Sequence, residues 1–262
     1  GDVYKRQILT SHHQVDKQLI EVMPELEKAK IPFVLASARS PLGMQPIAHK
    51  LGLHENPIAC YNGALVLEGN RTIIEHPVDK TEIQELLSYL STDYPSVSVN
   101  IYSGKDWITN QLDKWSQLEA GITGESPILK ELQETVSDSE PPVHKLLLID
   151  KPEVIQNLHQ KLLSMDFPQT AFYLSKDNYL EVTAKHVSKE HALLEVAKYY
   201  GIPLEQVMTI GDNFNDSPML ALAGLGIAMG NAPEGVKETA NLVTASNDDH
   251  GVAQAITEHV LN

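Results

Sequence analysis

Short apolar runs of buried-strand length alternate with helical periods at both ends of this chain, and a middle stretch breaks the rhythm. Residues 15–30 carry apolar side chains at 15, 19, 22/23 and 26, a helical spacing. Residues 33–36 read as a buried strand. Ser40 followed by Pro41 is an N-cap and first-turn pair for a helix over 41–51. A second strand over 57–60 runs into the turn Tyr61-Asn62-Gly63. Residues 64–67 and 71–75 flank Glu68-Gly69-Asn70 as a hairpin. The rhythm returns at Ser188 with a helix over 188–200, stopped by Gly201-Ile202-Pro203. A strand over 207–210, a helix over 216–223, a strand over 225–228 and helices over 233–239 and 251–260 follow.

Between these halves the texture is amphipathic. The pattern predicts a helix over 81–90, a strand over 97–102, a helix over 107–120 and a strand over 143–149. It continues with a helix over 152–164 and strands over 170–174 and 179–183, with a loop at 137–142. Alternating strands with grouped helices make an α+β module with one open sheet face. The expected organisation is an α/β core over residues 1–79, a cap over 80–183, and the second part of the core over 184–262. The core is a parallel sheet with helices on both faces. No internal repeat or low-complexity segment interrupts it.

Composition narrows the partners. The formal net charge is −15 and no Lys/Arg cluster marks a basic face, which argues against a nucleic acid partner. The same charge repels anionic lipid, so a phosphorylated ligand needs local cations or a metal. The longest soft apolar run, 219–229, is far short of the roughly 20 residues of a membrane span. No apolar stretch follows residues 1–7, so no signal peptide is expected, and the single cysteine, Cys60, fits a reducing compartment. A cytoplasmic monomer or homodimer is the expectation.

Three places can carry chemistry. Ser37 and Arg39 follow an apolar strand, where ligands bind in open α/β sheets; Ser37 is otherwise a turn or capping residue. Gly211-Asp212-Asn213-Phe214-Asn215-Asp216 crowds acidic and amide groups after the 207–210 strand. Two carboxylates four residues apart there suit a hard cation such as Mg2+, with Asp/Asn helix capping as the alternative. Lys189, with Lys185 nearby, opens a helix, an unfavourable place for a cation unless something holds it. The histidines show no metal-ligand spacing. His12, His13, His144, His159, His186, His191, His250 and His259 are expected at the surface. Trp107 and Trp115 are expected in the cap core, with a substrate-facing role as the alternative.

Taken in order, Ala36-Ser37-Ala38-Arg39, Tyr61-Asn62-Gly63-Ala64, Val187-Ser188-Lys189, the run from Gly211 to Leu220, Met229-Gly230-Asn231-Ala232 and the closing run from Asn247 to Ala253 resemble the haloacid dehalogenase superfamily. They look like its Cof-type branch, in which a large cap is inserted into a Rossmann-like core. The resemblance covers nearly the whole chain from Leu9. It implies Mg2+-dependent hydrolysis of a small phosphorylated metabolite, a sugar phosphate or similar, through an aspartyl-phosphate. It implies phosphoryl binding by Ser37, a cation bridging nucleophile and phosphate at Lys189, a metal ligand at Asp212 and a second acidic partner at Asp216. Asn215 is implied as a phosphate or water contact, and Asn62 and Arg39 as neighbours of the site.

One motif departs from the pattern. The family's first motif is Asp-x-Asp-Gly-Thr at the end of an apolar strand. Its positions here hold Val3, Tyr4, Lys5, Arg6 and Gln7, and Asp2 is out of register by one. Nucleophile and acid/base are both missing, so residues 1–7 read as foreign to the family, and the chain as written is expected to be inactive. The neighbouring core strands are expected to lack a partner. Two alternatives are a regulatory protein that keeps the Mg2+ and phosphate pocket without turnover, and a related phosphotransferase such as a mutase.

Overall fold

The computed structural model describes residues 8–12 and 14–261; Asp2, the stretch 3–7 and His13 lie outside them. Asp16 caps α1 (Lys17–Lys28) by accepting the Gln18 N–H. β1 (Leu35–Ala36) leads to α2 (Pro41–Lys50), where Ser40 Oγ accepts the Gly43 N–H and Pro41 presets the first turn. β2 (Pro57–Cys60) runs parallel to β1, pairing Leu35 with Ile58 and Ala36 with Ala59. β3 (Leu65–Glu68) and β4 (Arg71–Glu75) form the expected hairpin, and the sheet order is β1-β2-β3-β4.

The next elements are α3 (Lys80–Asp93), β5 (Ser98–Ser103), β6 (Asp106–Thr109), α4 (Lys114–Thr123), β7 (Ile128–Leu129) and α5 (Leu132–Thr135). They are followed by β8 (Lys145–Ile149), α6 (Pro152–Leu163), β9 (Thr170–Lys176) and β10 (Tyr179–Ala184). The six strands make one mostly antiparallel sheet in the order β7-β6-β5-β8-β10-β9. Its two faces separate by the period of two that a pleat imposes. Leu146, Leu148, Leu180 and Val182 pack under Leu86 and Leu90 of α3 and Leu158 of α6. Tyr102, Leu147, Ile149 and Tyr179 belong instead to the cluster shared with α1, α2 and β3. One sheet face therefore meets its own helices and the other meets the α/β core.

The reading of 107–120 as one helix is wrong. Trp107 lies in β6, paired with Tyr102 across the Gly104 turn, and the helix starts only at Lys114, where Asp113 accepts the Trp115 and Ser116 N–H groups. An aromatic and two β-branched residues in a row suit a pleated surface better than a helix. Trp107 is buried and donates its indole N–H to Asn100 Oδ1, as a core residue should.

The chain ends with α7 (Lys189–Tyr200), β11 (Met208–Gly211), α8 (Ser217–Leu222), β12 (Leu225–Ala228), α9 (Glu234–Lys237), β13 (Leu242–Val243) and α10 (Gly251–Ile256). β11, β12 and β13 are parallel. The architecture is an α/β core of parallel strands edged by the antiparallel β3–β4 hairpin, with an inserted, mostly antiparallel α+β cap. Among the described residues the core sheet is in two pieces, and a cavity of about 290 Å³ lies between them. Leu35, Ala36, Ala192, Met208, Ile210 and Val252 are among its walls.

Candidate active site

Three loops and the start of α7 gather at the carboxyl edge of the core strands, where open α/β sheets bind ligands. After β1, the Ser37 N–H donates to Ala59 O, and Ser37 Oγ accepts the Arg39 N–H at 3.3 Å. After β2, Tyr61, Asn62 and Gly63 all have positive φ (53°, 57° and 102°). Two consecutive non-glycine residues in this region are costly and persist only where packing over-determines them. Here a Cβ on Gly63 would lie 2.5 Å from the Ala192 Cβ of α7. The turn aims the Asn62 backbone N–H at Ser37 O, at 2.8 Å, which joins the two strand ends.

The third loop, 212–216, is built around the side chain of Asp216, which is fully buried. Its Oδ2 accepts the N–H groups of Asp212 and Asn213 at 3.0 and 3.1 Å. Its Oδ1 accepts from Lys189 Nζ at 2.5 Å. Gly211 makes room, since a Cβ there would lie 2.5 Å from the Asp216 Cβ. Lys189 enters from the first turn of α7, where Ser188 accepts the His191 N–H as cap. Its unfavourable place on the helix dipole is offset by an ion pair whose side chains are 10% and 1% exposed. Lys185, by contrast, is exposed.

Asn215 Nδ2 approaches Asn62 Oδ1 at 3.5 Å, linking the third loop to the second. The structure thus joins Ser37, Asn62 and Asn215 in one chain of contacts, and Lys189, Asp216 and the Asp212 backbone in another. Arg39 turns its guanidinium to Gly43 O on α2. The oxygens on 212–216 are carboxylate and amide oxygens with no imidazole or thiol among them, a donor set that fits a hard cation such as Mg2+. Asp216 has both oxygens engaged, and Asp212 stands half-buried just after β11.

Sequence reasoning pointed to the cap stretch around Tyr173 but missed Lys145, Glu181 and Glu125 beside it. Asn62 Nδ2 donates to Tyr173 Oη, Tyr173 donates to Glu181 Oε2 at 2.9 Å, and Lys145 Nζ lies 3.6 Å from Glu181. Lys145 also reaches down to Ala38 O at 3.2 Å and sits over the Tyr102 ring. A cavity of about 100 Å³ opens here, walled by Ala38, Arg39, Glu119, Glu125, Lys145 and Glu181 among others. Glu125 holds Ser40 Oγ through Oε1, while its Oε2 is buried without a hydrogen-bond partner among the described residues. The available signal was a charged residue in an otherwise apolar strand: Lys145 opens Lys-Leu-Leu-Leu-Ile, and Glu181 interrupts Tyr-Leu-Glu-Val-Thr. Burial pushes the Tyr61 and Tyr102 hydroxyls well above their ordinary value, so both stay protonated donors.

His144 corrects the surface expectation. It is buried at the start of the cap's central strand, stacked on Tyr61, with Nδ1 accepting the Gly104 N–H and Nε2 on Glu75.

Comparison with known proteins shows the family and the fold. A protein of Haemophilus influenzae is 35% identical over 253 residues, covering 96% of this chain and 94% of its own. The 5-amino-6-(5-phospho-D-ribitylamino)uracil phosphatase YcsE of Bacillus subtilis is 28% identical over 254 residues, covering 94% and 91%. A solved haloacid dehalogenase-like hydrolase from Bacteroides thetaiotaomicron superposes with a TM-score of 0.86 at 27% identity, over 95% of this chain and 94% of that one. With residues 8–256 matching the family as a whole, the chain belongs to the haloacid dehalogenase-like hydrolases.

Proposed function

We propose that this fold serves a Mg2+-dependent phosphatase acting on a small phosphorylated metabolite, a sugar phosphate or similar. The observation that carries the reading is the buried Lys189–Asp216 pair at the strand ends, beside the loops of Ser37 and Asn62. In that reading Lys189 Nζ holds a phosphoryl oxygen against the nucleophile. Ser37 Oγ, which accepts from Arg39, keeps its own proton to donate to a second oxygen. Asn62 and Asn215 position the phosphate or the attacking water, and Arg39 faces the leaving group from the cavity wall. Mg2+, bound when Asp212 supplies a carboxylate, would neutralise charge on the phosphoryl group.

The nucleophile is the family's first-motif aspartate, and the chain as it stands holds Val3, Tyr4, Lys5, Arg6 and Gln7 at those positions. With no carboxylate to attack phosphorus it turns nothing over. That same observation favours a second reading, a binding protein that keeps the pocket without turnover. The ribityl phosphate in the name of the Bacillus subtilis relative supports a polyhydroxylated leaving group. The −15 net charge supports a small ligand over nucleic acid or membrane. Among the described residues no helix is long and apolar enough to cross a membrane. The proposed place of action is the cytoplasm, as monomer or homodimer. Burial pushes the Cys60 thiol up to about 12, so it stays a protonated, unreactive core residue there.

The test is p-nitrophenyl phosphate turnover with Mg2+, on the chain as written and on a chain whose residues 1–7 are replaced by an apolar strand ending Asp-Ile-Asp-Gly-Thr. Activity in the second alone supports the phosphatase. Two folded, inert proteins favour the binding reading. Activity in the first overturns the account of the nucleophile.

A further inference from the structure

Away from the strand-end loops, three potential metal ligands meet on the outer side of α7. His76 follows β4, where the chain leaves the core for the cap, and its backbone N–H is pinned to Ala64 O at 2.8 Å. His191 and Glu195 lie one turn apart on α7, so their side chains share a face. His76 Nε2 is 2.6 Å from Glu195 Oε2, His191 Nε2 is 3.6 Å from Glu195 Oε1, and the two imidazoles meet edge to face at 5.4 Å. One ligand atom from each residue falls within 4.8 Å of the others. Among the described residues this is the one group of three or more His, Cys, Asp or Glu side chains so placed.

We infer that His76, His191 and Glu195 form a second cation site, selective for a borderline divalent ion of the zinc type and distinct from the oxygen-only loop at 212–216. Two imidazoles and a carboxylate are a donor set that zinc takes and Mg2+ avoids, and three protein ligands leave a position for water. Ligand atoms bonded at about 2.0–2.2 Å to a tetrahedral ion lie about 3.4 Å apart. The separations to the Glu195 carboxylate, 2.6 Å to Oε2 and 3.6 Å to Oε1, bracket that value, and every edge of the triangle is within 4.8 Å, so side-chain rotations close it. The side chains are 29–39% exposed, enough for an ion to enter without opening the fold. A plain His76–Glu195 ion pair accounts for the shortest contact but not for the third ligand closing the triangle.

The position gives the ion something to do. Lys189 precedes His191 by two residues, about 200° around the helix, so one faces Asp216 and the other faces the His76 segment. A bound ion would pin the first turn of α7, and with it the Lys189 backbone, to the strand that leads into the cap. The site would act as a clamp between the core and the cap linker.

Cobalt(II) tests this on the tag-free chain, in a saturating excess of Mg2+ that keeps the oxygen site occupied. The expected result is one equivalent of Co2+ with the intense visible bands of four- or five-coordination, displaced by Zn2+ and accompanied by a higher melting temperature. His76→Gln, His191→Gln and Glu195→Gln should each weaken binding by more than about tenfold, since losing even an outer-sphere partner costs 10–100-fold. Asp212→Asn should leave the bands unchanged. Circular dichroism of the metal-free variants separates loss of a ligand from loss of fold. A weak octahedral spectrum from the unaltered chain overturns the site. So do bands that survive Glu195→Gln with His76→Gln, or that vanish in His49→Gln, His49 and His54 being another edge-to-face histidine pair among the described residues.

Discussion

Asp216 shows how much one side chain can organise. Its carboxylate is fully buried, yet it accepts two backbone N–H groups and the Lys189 ammonium, so both charges of this pair are satisfied. Lys189→Ala in the chain with a restored first motif is therefore expected to lower turnover by orders of magnitude and also to cost about 3 kcal/mol or more, because a buried partner is left uncompensated. Combining Lys189→Met with Asp216→Asn should recover melting temperature without recovering turnover, and near-normal turnover in either variant would remove Lys189 from the chemistry. A second residue-scale expectation concerns His144. Burial holds its imidazole below the ordinary 6.5, with the Glu75 contact opposing that shift more weakly. Below 6.5 the unfolded chain binds a proton that the folded chain refuses, so this contribution is present above 6.5 and is lost as pH falls. Urea midpoints should drop between about pH 7 and about pH 5.5, and His144→Phe should flatten that part of the slope; an unchanged slope would rule the group out.

At the level of elements, the decisive features are turns rather than helices. The β11 strand can hand its end to the 212–216 loop only because Gly211 leaves space for Asp216. Gly211→Ala is expected to cost about 1–3 kcal/mol through overpacking and to disturb the Lys189 contact, seen as a lower melting temperature together with weaker Mg2+ dependence. Loss of stability with normal metal dependence would show that the loop re-forms around the methyl group. The elements that local pattern captured were the long ones with caps, such as α7 between Ser188 and Gly201. It misread 107–120, because a four-residue strand followed by a ten-residue helix averages into one apolar period. The two-residue β7 and four-residue α5 are too short to show a period at all.

Across the whole molecule, core and cap are tied by a polar relay rather than by apolar packing alone. It runs from Asn215 through Asn62, Tyr173 and Glu181 to Lys145, which returns to the core at Ala38. Tyr173 and Glu181 stand directly opposite on β9 and β10, on the sheet face turned to the core. A double-mutant cycle of Tyr173→Phe with Glu181→Gln should give a coupling of about 0.5–3 kcal/mol, read from urea unfolding. A coupling near zero would mean that the cap is held by its apolar contacts and that the relay is incidental. If the relay holds the cap closed, Tyr173→Phe should also speed hydrogen exchange around 61–63.

The amino-acid sequence by itself determined the alternation that makes the core, the caps that start α2 and α7, the strand ends that carry Ser37 and Asp212, and the helix start that carries Lys189. These follow from side-chain period, capping chemistry and the short reach of backbone hydrogen bonds, which couple residues only a few positions apart. It also showed that residues 3–7 carry no carboxylate. Tertiary structure alone decided which distant groups meet. Ser40 finds Glu125 across 85 residues, Lys145 finds Ala38 across 107, and Asn62 finds Tyr173 across 111. It decided too that His144 is buried and that His76 meets His191 and Glu195 of α7. No local preference encodes such pairs. They form because closing the cap removes these groups from water, and each must then find a partner in the other half of the molecule.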